Sequence, residues 1–139
     1  MAVCTYREHI PSRGDADVID ITPLAQRTLQ QSGMKNGIFN VFVPGATAAV
    51  TTIEFESGAV QDLKAAIERL VPKTARYQHD QRWGDGNGHS HVRAALLKPG
   101  LAIPFEAGRL LLGTWQQIIL VDFDNRPRTR EIVLQIVGE

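Results

Sequence analysis

A single cysteine, Cys4, is the entire thiol content of this 139-residue chain, so no intrachain disulfide can form and a disulfide-stapled secreted scaffold is excluded. Cys4 lies in an alternating segment and reads as a small packing residue rather than a nucleophile. No apolar run approaches the roughly 18 residues of a membrane span. The opening MAVCTYREHIPSRGD lacks the apolar stretch of a signal peptide, which points to a cytoplasmic protein. Charge of one sign is also missing: 15 basic residues face 15 acidic ones. Without a basic stripe, nucleic-acid binding is the weakest functional reading. There is no repeat, low-complexity tract or linker, and the length fits one domain covering residues 1–139.

What is present alternates between strand and helix patterns. Residues 2–10 and 16–21 alternate and read as strands, separated by a turn at Pro11, Gly14 and Asp15. Thr22 is placed to cap a helix with Pro23 at its first position, ending at Gly33. Residues 38–43 and 50–55 read as strands. Ser57 can cap a second helix, in which Val60, Leu63, Ile67 and Leu70 form an apolar stripe that ends before Pro72. Residues 101–105, 109–113, 116–123 and 131–137 read as four further strands. In the last, Ile132, Leu134 and Ile136 share one face and Val133 and Val137 the other, so both faces need cover. One cover could be another subunit.

Residues 76–91, RYQHDQRWGDGNGHSH, differ from everything else. Three of the four histidines, two aspartates, three glycines and Trp83 fall here without apolar periodicity. The stretch reads as a long loop, and such loops are often functional. From Asn87, a possible N-cap, the chain turns helical, which puts His89 and His91 in the first turn.

NGHSHVRAALL (87–97), IPFEAGRLLLGTWQQIILVDFDNRPR (103–128) and QIVGE (135–139) carry a resemblance to the YjbQ-like family, also called secondary thiamine-phosphate synthases. VFVPGATAAVTTIE (41–54) and YQHD (77–80) extend it to nearly the whole chain. The resemblance implies an α/β fold of the α+β type: two packed, sandwich-like β-sheets with two or three helices. It also implies a homotrimer, and an activity in which a thiazole phosphate displaces pyrophosphate from an activated pyrimidine. The family commonly reads Pro-His-Thr-Thr after the third strand. Here Pro44-Gly45-Ala46-Thr47 replaces it, as in a branch that pairs PG(S/A)T with WGDGNGHSH, so activity does not transfer directly. Gly45 and Ala46 leave room near the backbone for an anion.

His79, His89 and His91 are the candidate metal ligands, since histidine is the commonest ligand and the usual near-neutral acid or base. A His-X-His pair projects to one side of an extended segment, but in a helix the two diverge by about 200°. His79 and His91 match the family's pattern. Asp80, Asp85 and Asn87 can complete an oxygen-rich site for a divalent metal such as Zn, Mn or Mg. Glu54, at a strand end beside Ile53 and Phe55, is the candidate base, its pKa raised if it is buried. Asp62 matches a family aspartate on a helix flank, and Gln116 begins a core strand where it could orient a substrate. Arg126 and Arg128, with Arg130, read either as a solvated turn or as a phosphate clamp. Trp83 is the lid candidate, whereas Trp115 reads as packing. The expected ligand is a small phosphorylated metabolite in an intersubunit pocket. The alternatives are a non-enzymatic metabolite- or metal-binding module and a metal-dependent hydrolase. Each of these readings needs the histidines and Glu54 to meet in one cavity.

Overall fold

Ile118, Ile119, Leu120 and Val121 are four consecutive apolar residues, and successive side chains on a strand point to opposite faces. Each face of this strand therefore needs its own cover. The computed structural model, which describes residues 1–139, supplies both covers. Ile118 and Leu120 enter one apolar cluster, Ile119 and Val121 another, and all four are buried. Fully burying a side chain of this kind contributes roughly 1.5–3 kcal/mol, so this one strand ties two layers together.

The elements run β1 (Ala2–Ser12), β2 (Asp17–Asp20), α1 (Thr22–Ser32), β3 (Gly37–Phe42), β4 (Ala48–Ile53) and α2 (Ser57–Leu70). They continue with α3 (Gln78–Trp83), α4 (Gly88–Leu97), β5 (Gly100–Glu106), β6 (Arg109–Leu110), β7 (Gln117–Asp122) and β8 (Arg128–Gly138). A five-stranded sheet has the order β1-β8-β3-β5-β6 and a three-stranded sheet the order β2-β7-β4, with every pairing antiparallel. The larger core joins Phe39, Val41, Ile103, Ile132, Leu134 and Ile136 of the large sheet to Val50, Ile118 and Leu120 of the small one, with Ala25 and Leu29 of α1. Ile67 of α2 and Ala94 of α4 cover the small sheet's other face. The architecture is α+β, two packed sheets with helices, as the resemblance implied.

The helices number four rather than two or three. The addition is α3, inside the stretch read as a loop. It spans six residues, none of them buried, so it could not show an apolar stripe. Its ends are held instead by Tyr77, whose hydroxyl donates to Pro72 O at 2.6 Å, and by the left-handed Gly84. Two caps also differ from expectation. The Thr22 hydroxyl accepts from Ile118 N, tying α1 to β7, while Asp20 accepts from Thr22 N. At α2 the cap is Glu56, whose carboxylate accepts from Gly58 N and Ala59 N, because it precedes the first turn and Ser57 already lies within it. The strand read at 109–113 stops at Leu110, and Trp115, read as packing, is 73% exposed.

The outer face of the large sheet has no cover in this chain. Val3, Ile38 and Phe42 are exposed there, and Val133 and Val137 are only half-buried. No helix is long and apolar enough to cross a membrane.

Candidate functional site

At one end of the small sheet an apolar strand runs into charge. β7 finishes with Asp122, Phe123 follows, and Asp124 comes next; both carboxylates are fully buried. A buried carboxylate requires partners. Arg130 answers Asp122 in a fork, Nε to Oδ2 at 2.8 Å and Nη2 to Oδ1 at 2.7 Å. Asp124 accepts from the Thr47 hydroxyl at 3.0 Å, from Arg128 Nε at 3.1 Å and from Asn87 Nδ2 at 3.3 Å. Burial pushes the Asp124 carboxyl up, but the hydrogen bonds from Thr47, Asn87 and Arg128, with the Arg128 charge, outweigh it and hold the group below its ordinary value. Asn87 Oδ1 accepts from Asn125 N, and the single Ser90 hydroxyl proton is shared between Asn87 Oδ1 and Phe123 O. The start of α4 is thereby bound to the end of β7.

This framework positions the histidine segment. Gly88 N donates to Asp80 Oδ1 at 2.9 Å, and Asn87 N to Asp85 Oδ1 at 3.1 Å. Gly88 has to be glycine, since a Cβ there would fall 2.4 Å from Tyr77 Cβ. His79 Nδ1 then lies 3.3 Å from Asp85 Oδ1 and 3.5 Å from Asp80 Oδ1. These distances are short, yet the nitrogen is buried and hydrogen-bonded to nothing, because neither oxygen is aligned with it. One donor atom from each of His79, Asp80 and Asp85 falls within 4.8 Å of the other two. One imidazole nitrogen and two carboxylates form a donor set that fits a divalent cation such as Zn or Mn.

His91 joins this group by packing: its ring centroid is 4.4 Å from that of His79. It also lines a cavity of about 250 Å³ with Gly45, Ala46, Ala48, Ala94 and Pro99. His89 points the other way, as two adjacent alternate positions on a helix must. It is 2% exposed, its Nδ1 has no partner, and its ring lies near Tyr77. Burial, with the nearby positive charges of Arg93 and Lys73, pushes its pKa down. Of the three histidines read as metal ligands, His79 alone falls in the group whose donor atoms converge, with Asp80 and Asp85.

The remaining candidates are dispersed. Ala48, at the His91 cavity, pairs with Asp122, whereas Ile53 pairs with Gln117 at the opposite end of β4. Glu54 follows Ile53, about 20 Å along the strand from Ala48 at roughly 3.3 Å per residue. It is exposed rather than buried as expected. Gln116 shares that far end, where its amide accepts from Gly113 N and donates to the Thr52 hydroxyl. Asp62 is exposed on α2, and Arg126 is exposed in the β7–β8 turn. Arg128 is bound to Asp124. Trp83 is 66% exposed, under the Arg82 guanidinium. The single cavity expected to unite the histidines and Glu54 does not exist within one chain.

Asp122, Asp124, Thr47 and Ser90 escaped the sequence reading. The signal for the two aspartates was the pattern ILVDFD followed by three arginines, in which acids continue a buried strand and need cations from the next one.

Residues 7–139 match the family described as UPF0047 protein YjbQ-like. A UPF0047 protein of Methanothermobacter thermautotrophicus is 37% identical over 96% of this chain and 93% of its own length. One from Mycobacterium tuberculosis is 35% identical over 88% and 98%. The crystal structure of a YbjQ-like protein of unknown function from Sulfolobus solfataricus superposes with a TM-score of 0.90 at 31% identity, covering 99% of this chain and 100% of that one. A hypothetical protein from Aeropyrum pernix gives 0.90 at 32% identity, over 97% and 98%. The chain belongs to the UPF0047, YjbQ-like family.

Proposed function

We propose that His79, Asp80 and Asp85 hold a divalent cation, and that the cation and the adjoining His91 cavity bind a small phosphorylated metabolite. The observation that carries this reading is the His79 Nδ1 atom, buried, without a hydrogen bond, and bracketed by two carboxylates at 3.3 and 3.5 Å. When bound, such a cation neutralises charge on phosphoryl oxygens. The chain's own residues supply the rest. The backbone amides of Gly88 and Asn87 fix the two carboxylates, and His91 holds the His79 ring and forms one wall of the cavity.

The chemistry favoured by the family resemblance is pyrophosphate displacement, with the leaving group held at this end. Glu54 and Gln116 can take part only from a neighbouring copy, since they lie at the far end of β4 in their own chain. The family resemblance implies a homotrimer, and the uncovered outer face of the large sheet supports an assembly in which copies cover Val3, Ile38 and Phe42. A second reading is a binding module without turnover. It is favoured by Gly45, which puts no side chain in the cavity where a base could stand.

Incubating the purified protein with both thiamine precursors and Mn²⁺ or Mg²⁺ separates these readings. Product formation that EDTA abolishes and His91→Ala reduces at least tenfold supports the transferase. A phosphorylated ligand retained at fixed stoichiometry without product supports the module. Turnover untouched by both EDTA and His91→Ala rejects the site.

A further inference from the structure

Arg130 carries donors that the fold does not use. Its side chain is 9% exposed. A guanidinium has five N–H donors. Nε and Nη2 donate to Asp122, and Nη2 also donates to the Thr47 hydroxyl at 2.6 Å. Nη1 has no hydrogen-bond partner in the chain. It faces Gly45, where a side-chain Cβ would stand 3.3 Å from Nη1 and meet no other atom within 4 Å. Gly45 has φ +125°, a conformation that disfavours any side chain, so the approach to Nη1 stays open. Gly45 is also a wall of the His91 cavity, whose other walls are mainly alanine.

We infer that Arg130 Nη1, reached across Gly45, forms an oxyanion subsite of the His91 cavity that takes a phosphoryl group. The fork to Asp122 locks the guanidinium plane, so the two free N–H bonds on Nη1 have a fixed direction, which suits tetrahedral phosphate oxygens. Asp122 balances the charge of Arg130 and Arg128 balances Asp124, so the subsite offers directed donors without surplus charge. Affinity for free phosphate is accordingly modest. This deepens the reading above, resting on it for the phosphorylated ligand but not for the cation.

The test is a ¹H–¹⁵N titration of the whole protein with inorganic phosphate, once in EDTA and once with Mg²⁺. Removing Arg130 would strand Asp122 and endanger the fold, so the test variants are Gly45→Ala and Ala95→Glu. Ala95 is exposed on α4 and lines the cavity. The expected result in EDTA is saturable shifts at the 45–47 amides and the Arg130 side chain, weakened about tenfold or more in both variants while the rest of the spectrum is preserved. Shifts confined to other surfaces, or unaltered affinity in Ala95→Glu, overturn the subsite. Phosphate binding seen only with Mg²⁺ and lost in Asp85→Asn also overturns it, while leaving the cation reading intact. Phosphate binding in EDTA without any cation binding would overturn the cation reading alone.

Discussion

The two ends of the β4–β7 pair have opposite characters. At the Asp122 end, the buried carboxylates are held by hydrogen bonds from Thr47, Asn87, Arg128 and Arg130, and Asp80 and Asp85 by the Gly88 and Asn87 amides. At the Gln117 end, Glu54, Gln116 and Trp115 are exposed, and Gln116 alone of the three makes side-chain hydrogen bonds, to Gly113 and Thr52. Both ends carry polar residues that match the family pattern. The difference lies in preorganisation: one end is tied together within the chain, and the other is left exposed.

The largest expected effect tests whether that difference is energetic. Arg130→Met leaves Asp122 buried and unpaired, and should cost about 3–5 kcal/mol in urea denaturation. Gln116→Ala, at the other end, should cost no more than about 0.5 kcal/mol. Equal losses would erase the contrast.

A smaller effect is the pH dependence at the built end. His89 has its folded pKa pushed below the ordinary 6.5 by burial, so the unfolded chain binds the proton first as pH falls. Its contribution to stability is complete above about pH 6.5 and is lost on acidification from there through the lowered folded value. Asp15, Asp17 and Asp124 are also lowered, but from 3.8, so their contributions vanish only in more acidic solution. Stability should therefore fall between pH 7 and pH 5 in the parent and stay flat across that interval in His89→Met. Parallel curves for the two proteins would show that His89 does not titrate with folding.

The smallest effect concerns Glu54. Glu54→Gln should leave stability within about 0.5 kcal/mol and cation affinity unchanged in the isolated chain. A loss of cation affinity confined to the assembled form would place a neighbour's Glu54 at the histidine end, and would sharpen the comparison into a shared site.

How much of this was legible in the sequence follows from which residues act locally. Strands such as Ile118–Val121 and Ile132–Val137 showed their faces through alternation, because burial obeys the two-residue period. α1 announced its end at Gly33, which adopts the left-handed cap. α3 left no trace, since six exposed residues held by a tyrosine hydroxyl and a glycine cap have no periodic signature. His79, Asp80 and Asp85 could be named as polar candidates from one stretch, but their convergence depends on α3 and the Gly88 contact. The pairing of Asp122 with Arg130 needed the β7–β8 reversal. Glu54 misled because sequence nearness to apolar residues does not establish burial just past the end of an edge strand.

The cation is the centre of the proposed site. Titrating the metal-stripped protein with Mn²⁺, followed by calorimetry and by loss of the free-ion electron paramagnetic resonance signal, tests it directly. The expected result is one Mn²⁺ per chain, with His79→Ala and Asp85→Asn each weakening it by about 100-fold or more, beyond the 10–100-fold typical of outer-sphere partners. Absence of saturable binding, or binding that both variants retain at parental affinity, would contradict the account.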